Sequence, residues 1–288
     1  DPRITFVNNM RYFDAHTHVQ FAAYDTDRAE VVARSLEAGV GMNVVGTQYD
    51  TSKAAVEVAR AHEGVWATIG LHPIHTSKSY HDAQELGEGN KEFTSRGEVF
   101  DMAKYEALGR EAKVIAVGEC GLDYYRNDPS IKNVQEDAFV QQIELANHLG
   151  KPLMLHIRAS QGTQDAYDDA LALVKAHAKV RGDVHFFAGN WETARKWLDI
   201  GFTLSFTGVL TFTNDYDEVV RNAPLDMLLS ETDAPYITPV PFRGTRNESA
   251  HIPYIVAAIA RIKGEDEEAV RTQLLANAKR VFGLYPQR

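Results

Sequence analysis

Two histidines lie one residue apart near the start of the chain, in the stretch FDAHTHVQ (13–20). In a β-strand, residues two apart point to the same face, so His16 and His18 are predicted to project side by side. Such a pair is half of a metal site if further ligands lie nearby, and an ordinary surface pair if they do not. The remaining candidate ligands have to decide between these two interpretations.

Four more residues that can bind a metal follow apolar runs. They are Glu119 in AVGECG, His156 in LMLHIR, His185 in DVHFFAG and Asp233 in LLSETDAPY. Singly, each has an ordinary explanation as a helix cap, a solvated carboxylate or a hydrogen-bonded core histidine. Six such residues after five apolar runs are expensive to bury together without a metal or mutual pairing. Histidine and carboxylate ligands suit Zn²⁺, Mn²⁺ or a similar divalent ion.

Eight short apolar or β-branched runs alternate with amphipathic segments along the chain. The runs cover residues 10–16, 41–47, 65–71, 113–119, 152–157, 183–189, 202–208 and 226–232. Several are almost wholly apolar, which is typical of strands that are buried on both faces. The clearest helical patterns cover 133–150 and 52–64, and each is expected to end at its last residue, a glycine.

This alternation predicts an α/β fold, a (β/α)8 barrel of the TIM type, as a single domain over 1–288 with its core at about 11–285. A doubly wound open sheet is the alternative, but no phosphate-binding glycine loop supports it. In a barrel the C-terminal strand ends converge on one face, so the six candidate ligands are expected to meet there. The long connection after the third strand, about 73–112, is expected to hold one helix. It is either a tolerated insertion or a lid over the substrate.

Composition narrows the class of protein. The net charge of −10 argues against binding nucleic acid by bulk electrostatics, although two divalent ions reverse the field locally. No apolar run is long enough to span a membrane, and no signal peptide is visible. The single cysteine, Cys120, fits a reducing compartment. We therefore expect a cytoplasmic protein without a membrane partner, as a monomer or weak oligomer.

The motifs DAHTH, IGLHP, VGECGLDYYR, LHIRAS, SETDAPY and RGTRNESAHI occur in this order along the chain. With them the chain resembles the TatD family of metal-dependent deoxyribonucleases, within the amidohydrolase superfamily, from about residue 11 to 285. The resemblance implies the barrel and two divalent metal ions, whether Zn²⁺, Mn²⁺ or Mg²⁺. It also implies the ligands: His16, His18 and Asp233 for the first ion, His156 and His185 for the second, and Glu119 as the bridge.

The chain departs from the family pattern at two places near these motifs. The sequence after the sixth strand reads HFFAG where the family usually has a pattern like H-C-F-S-G, which introduces Phe186 and Ala188. Ser249 stands where the family often has a proline. Both changes are expected to affect the selection of substrate more than the binding of metal.

The predicted reaction is hydrolysis by a water that two metal ions activate. Glu119 and Asp233 are the predicted catalytic residues, with Asp233 as both ligand and general base. Substrate contacts are predicted for Arg158, His72, Tyr125 and Arg243. The ordinary alternatives are an ion pair for Arg158, loop hydrogen bonds for His72 and Arg243, and packing for Tyr125.

Two enzymatic interpretations share every metal ligand, so the ligands do not separate them. The first is a nuclease that hydrolyses phosphodiesters at DNA or RNA ends. The alternative is a hydrolase of a small amide, ester or lactone. Three arginines, Arg158, Arg243 and Arg246, and the family resemblance favour the nuclease. A barrel that has lost catalysis and serves as a binding module is a third reading, which the complete ligand set disfavours.

Overall fold

Eight parallel strands, paired in chain order from β1 to β8, form the centre of the molecule in a computed structural model that describes residues 9–77, 97–125 and 129–284. The strands are β1 (Tyr12–Thr17), β2 (Val40–Val45), β3 (Val65–Ile69), β4 (Val114–Asp123), β5 (Leu153–Arg158), β6 (Gly182–Val184), β7 (Thr203–Phe206) and β8 (Leu228–Ser230). The α-helices within these ranges are α1 (Arg28–Glu37), α2 (Tyr49–Ala61), α3 (Met102–Gly109), α4 (Lys132–Leu149), α5 (Asp165–His177), α6 (Trp191–Asp199), α7 (Asp217–Asn222), α8 (Ile252–Lys263) and α9 (Glu267–Phe282).

The predicted (β/α)8 barrel is confirmed, and each predicted run overlaps one strand. The helical pattern at 133–150 is α4, which ends at Gly150 in the left-handed conformation (φ 64°). The pattern at 52–64 is α2, which ends at Ala61, three residues before Gly64.

Two strand boundaries differ from the prediction, and both differences affect site residues. Strand β4 continues to Asp123, so Glu119 lies within the strand rather than at its end. The pairing of β4 with β5 shifts register between Val117 and Cys120, and this irregularity surrounds Glu119. Strand β6 stops at Val184, so His185 follows it, because Phe186 adopts a left-handed backbone (φ 45°) that a strand cannot contain.

The barrel closes between β1 and the segment after β8. A parallel bridge pairs Thr17 with Ala234, the backbone N–H of Asp233 donates to the carbonyl of His16 (2.9 Å), and that of His18 donates to Ala234 (2.8 Å). This seam therefore brings the two ends of the sequence together at the predicted metal ligands.

The buried side chain of Asp14 stabilises this seam through hydrogen bonds with residues from the other end of the sequence. Its carboxylate accepts hydrogen bonds from the backbone N–H and hydroxyl of Thr232 (2.8 and 2.5 Å) and from the hydroxyl of Ser249 (2.6 Å). Burial raises the pKa of Asp14 to about 7, although these hydrogen bonds act in the opposite direction. The departure from the family pattern at Ser249 thus supplies one of the donors that stabilise the buried acid.

Two apolar clusters hold the barrel. The larger one packs the helices against the strands, with Trp197, Phe139 and Ile259 among its fully buried members. The smaller one joins side chains of β1, β2, β4, β5 and β8 to the C-terminal helix α9, where Phe282 packs against Phe13 with ring centroids 5.9 Å apart. Helix α9 thus packs against β1 and β8, the strands that carry or precede His16, His18 and Asp233.

The connection between β3 and β4 is described only in part. Its described residues contain a 3-10 helix at Pro73–Thr76 and one α-helix, α3. Residues 78–96 of the predicted loop at 73–112 lie outside the described residues, so its choice between insertion and lid stays a prediction. Among the helices that are described, none is long and apolar enough to cross a membrane.

Replacing Phe282 by alanine tests the role of α9. The side chain is 4% exposed, so its loss should leave a cavity and lower the free energy of unfolding by about 3–5 kcal/mol. Urea denaturation measures the change. The matched control is Thr272→Ala on the exposed face of the same helix, for which a change within about 0.5 kcal/mol is expected. Equal effects of the two substitutions would contradict this account of the packing.

Candidate metal centre

The carboxylate of Glu119 lies at the centre of the predicted ligands, and its two oxygens face different groups of side chains. Oε2 lies 3.4 Å from His16 Nε2 and 3.8 Å from His18 Nε2. Oε1 lies 2.9 Å from His156 Nδ1 and 3.1 Å from His185 Nε2. Residues from β1, β4, β5 and the end of β6 therefore converge on one buried carboxylate, which is 3% exposed.

Asp233 completes the first group from the far side of the seam. Its Oδ1 lies 3.4 Å from His18 Nε2 and 3.9 Å from His16 Nε2, and the two imidazole nitrogens are 3.1 Å apart. Four ligands at 2.0–2.1 Å around a tetrahedral ion lie about 3.4 Å from one another. The spacing of His16, His18 and Glu119 thus fits a single cation, and Asp233 lies beside the two histidines as a further candidate ligand. Asp233 reaches this position with a positive φ of 52°, a conformation that aspartate tolerates better than most residues.

Hydrogen bonds fix which nitrogen of each histidine faces the centre. His18 Nδ1 donates to the carbonyl of Val45 (2.7 Å), so its Nε2 presents a lone pair. His156 Nε2 donates to Asp123 Oδ2 (3.1 Å), so its Nδ1 faces Glu119. Lone pairs that point at a carboxylate or at another imidazole repel it unless a proton or a cation lies between them. Without a metal a proton fills this place, and the pKa values of His18, His156 and His185 are raised; a divalent ion suits the same donor set.

His185 is held by a residue that the sequence analysis missed, Glu231. The Oε1 atom of Glu231 accepts from His185 Nδ1 (3.1 Å) and from the backbone N–H of Phe186 (2.6 Å), which leaves His185 Nε2 free to face Glu119. Its Oε2 atom lies 2.7 Å from the hydroxyl of Ser205. The signal that could have found Glu231 was its spacing, two residues before Asp233, which indicates the same face of an extended segment.

A second buried acid, Asp183, stands behind Glu231. The hydroxyl of Ser205 lies 2.6 Å from Asp183 and 2.7 Å from Glu231, and one hydroxyl hydrogen can serve only one of them. Burial, and then the charge of Glu231, raise the pKa of Asp183 to about 7. This raised pKa favours a state in which Asp183 carries a proton, which it can share with the neighbouring Ser205 or Glu231 network.

His72 points an N–H donor at the centre, whereas the candidate ligand histidines point lone pairs at it. Its Nδ1 accepts from the backbone N–H of Ile74 (3.1 Å), so in the neutral ring the proton is on Nε2, which lies 3.3 Å from Glu119 Oε1. Burial, and then the neighbouring His156, lower the pKa of His72 to about 4. His72 is thus a neutral hydrogen-bond donor beside the ligands, which suits the predicted contact with substrate better than metal ligation.

The surrounding histidines keep both central carboxyls ionised. Burial acts to raise the pKa of Glu119, but His72, His185 and His16 together hold it well below its usual range. Burial likewise opposes the ionisation of Asp233, yet the hydrogen bond with His18 and the adjacent histidines give it a lowered pKa.

The centre opens into a cavity of about 530 Å³, which lies in the size range of small-molecule sites. Arg158 lines this cavity, and its guanidinium stacks on the ring of Tyr125 at 3.8 Å. Tyr125 is 47% exposed at the rim and does not itself line the cavity. Arg158 therefore carries a positive charge next to the ligands, held in place by an aromatic ring.

Arg243 is not brought together with the other predicted substrate residues. Its guanidinium lies over Phe212 at 4.0 Å and donates to the carbonyl of Thr238 (2.8 Å), outside the cavity lining. Arg246 pairs with Asp27. Cys120, next to Glu119, is buried and its thiol pKa is raised by that burial, which agrees with an inert side chain.

Comparisons with known proteins show the family to which the chain belongs. A family model described as TatD related DNase matches residues 13–283. An uncharacterized metal-dependent hydrolase, YabD of Bacillus subtilis, is 36% identical over 275 residues, covering 94% of this chain and 98% of its own. The 3'-5' ssDNA/RNA exonuclease TatD of Klebsiella pneumoniae is 35% identical over 282 residues, with coverage of 94% and 98%.

The fold comparison gives the same result. The crystal structure of YjjV, a TatD homolog from Escherichia coli K12, superposes with a TM-score of 0.80 at 26% identity and covers 95% of this chain and 98% of its own. The match of the family model extends over nearly the whole barrel, including all six candidate ligands. This chain is therefore a metal-dependent hydrolase that belongs to the TatD-related DNase family.

Proposed function

We propose that this protein is an exonuclease that hydrolyses phosphodiester bonds at the ends of single-stranded nucleic acid, and that Glu119 and the histidines around it would hold two divalent ions. The observation that carries the proposal is the division of the Glu119 carboxylate, with Oε2 toward His16 and His18 and Oε1 toward His156 and His185. A carboxylate shared in this way is what a two-ion centre needs. The exonuclease assignment is supported by relatives named 3'-5' ssDNA/RNA exonucleases at about one-third identity.

Each side chain has a definite part in this reaction. When bound, the ions polarise the phosphoryl group and lower the pKa of water. Asp233, ionised and facing the cavity, accepts the proton of the attacking water. His72 donates through Nε2 to a phosphate oxygen, and the guanidinium of Arg158 offsets the negative charge that develops in the transition state.

The net negative charge of the chain is compatible with a site that contacts only a short stretch of nucleic acid. A nuclease that engages only a terminal nucleotide needs few phosphate contacts, and the centre supplies positive charge through bound ions and Arg158. The cytoplasmic setting expected from the sequence belongs to this proposal, and the buried thiol of Cys120 is compatible with it.

Removing the two histidines of β1 tests the first ion site. The double variant His16→Ala with His18→Ala should lose at least one equivalent of metal per chain, because it removes two of four ligands. Elemental analysis after dialysis against a limiting amount of Zn²⁺ or Mn²⁺ measures the content. A variant that retains the wild-type content while staying folded would count against the assignment.

Replacing Glu231 by glutamine tests the orientation of His185. The amide cannot accept from both His185 Nδ1 and the N–H of Phe186 as strongly as the carboxylate, so the affinity for metal should fall about 10- to 100-fold. A metal titration against a fluorescent chelator gives the affinity. Glu106→Gln, which alters a surface carboxylate paired with Arg110, is the matched control and should leave it unchanged. A wild-type affinity in the Glu231 variant would contradict the proposed role.

Turnover tests the function directly. Metal-loaded protein should shorten a 5'-labelled single-stranded DNA oligonucleotide stepwise, and Glu119→Gln should reduce the rate at least about 100-fold, because it weakens both halves of the centre. The assay is repeated with Mg²⁺, Mn²⁺ and Zn²⁺, and with an RNA of the same sequence. If metal-replete protein leaves both oligonucleotides intact, the nuclease proposal fails, and small amides, esters and lactones become the substrates to assay.

A further inference from the structure

Three consecutive connections of the barrel each place one aromatic side chain in the wall of the cavity. Phe186 follows β6, Tyr216 lies between β7 and β8, and Tyr236 follows β8. We call these three residues the aromatic wall. All three are half-buried, and none serves as a ligand or as a proton carrier in the proposed reaction. The proposed reaction therefore assigns no role to these three residues.

Phe186 occupies its place in the wall at a conformational cost. Its φ of 45° lies in the left-handed region, which is unusual for a bulky side chain and more readily occupied by glycine, asparagine or aspartate. The backbone is held there by the hydrogen bond from its N–H to Glu231 and by that from Phe187 N–H to the carbonyl of Ser205 (3.0 Å). An aromatic ring kept at such a position, next to a metal ligand, points to a task for the ring itself.

The positively charged side chain of Arg158 lies near the aromatic wall. Arg158 lines the cavity with Tyr216 and is close enough to act on the phenol: burial raises the pKa of Tyr216, and the guanidinium partly offsets that effect. The cavity lining thus combines a positive charge and candidate metal ligands with aromatic residues. A nucleotide has groups that match both features: its phosphate matches the positive charge and the metal site, and its planar base matches the aromatic residues.

We propose that the aromatic wall is a base-binding subsite that stacks on the nucleobase of the terminal nucleotide while its phosphate lies at the metal centre. The inference rests on the proposed function and refines it, because it assigns part of the substrate affinity to the base. Stacking on aromatic rings accepts every base, since each has a π-face. The subsite therefore accepts purines and pyrimidines alike, with purines bound more tightly because they offer more area.

Binding of a mononucleotide tests the subsite without any turnover. Calorimetry on Mn²⁺-loaded protein compares 2'-deoxyadenosine 5'-monophosphate with 2-deoxyribose 5-phosphate, which lacks the base. The nucleotide should bind about tenfold more tightly, since stacking on one base is worth a factor of that order. Phe186→Leu and Tyr216→Leu should each reduce this ratio several-fold, because they keep apolar volume but remove a π-face.

Matched controls separate stacking from general damage. Tyr216→Phe retains a ring and should keep the ratio, as should Tyr254→Leu, which removes an exposed aromatic on α8. Thermal melting checks the fold of each variant, and Tyr216→Leu carries the test if Phe186→Leu does not fold.

The subsite proposal is overturned if the wild-type protein binds the nucleotide and 2-deoxyribose 5-phosphate equally, or binds neither. It is also overturned if the ratio of the two affinities is unchanged in both leucine variants. Failure of the proposed function is a different result, because a protein that binds the nucleotide through its base but shortens no oligonucleotide keeps the subsite and loses the exonuclease.

Discussion

The buried carboxylate of Glu119 is the constraint on which the rest of the site depends. A carboxylate that is almost fully removed from water is costly unless positive charge or hydrogen-bond donors compensate it. Here imidazoles from four strand ends surround it, and each of its oxygens faces a separate group. Protonated imidazoles or a bound cation can supply this positive charge, so the binding of metal is expected to compete with protons at the site.

The side chains around the ligands set the polarity of each imidazole. Val45, Asp123 and Glu231 accept from the outer nitrogens of His18, His156 and His185, so that the inner nitrogens offer lone pairs. The backbone N–H of Ile74 does the reverse for His72, which becomes a donor. Four histidines of the same chemical type are thus oriented by the atoms behind them, three as candidate ligands and one as a donor.

Much of this could be predicted from residue types and their order along the chain. The alternation of apolar runs with amphipathic segments determined the barrel, because eight runs of this kind close into one sheet with helices outside. The position of a histidine or carboxylate after each of five runs predicted that the six candidate ligands would meet, because parallel strands end on the same face. The motif DAHTH also carried the pairing of His16 and His18.

Only the tertiary structure decided the features of the site that depend on contacts between segments far apart in the sequence. The register shift in β4, which turns Glu119 inward, and the seam between Thr17 and Ala234 arise from contacts between distant segments. The role of Glu231, the donor polarity of His72, and the separation of Arg243 from the cavity depend on neighbours far away in the chain. A sequence pattern reports which side chains reach one end of a barrel, but the atoms that each one meets there are determined by packing across it.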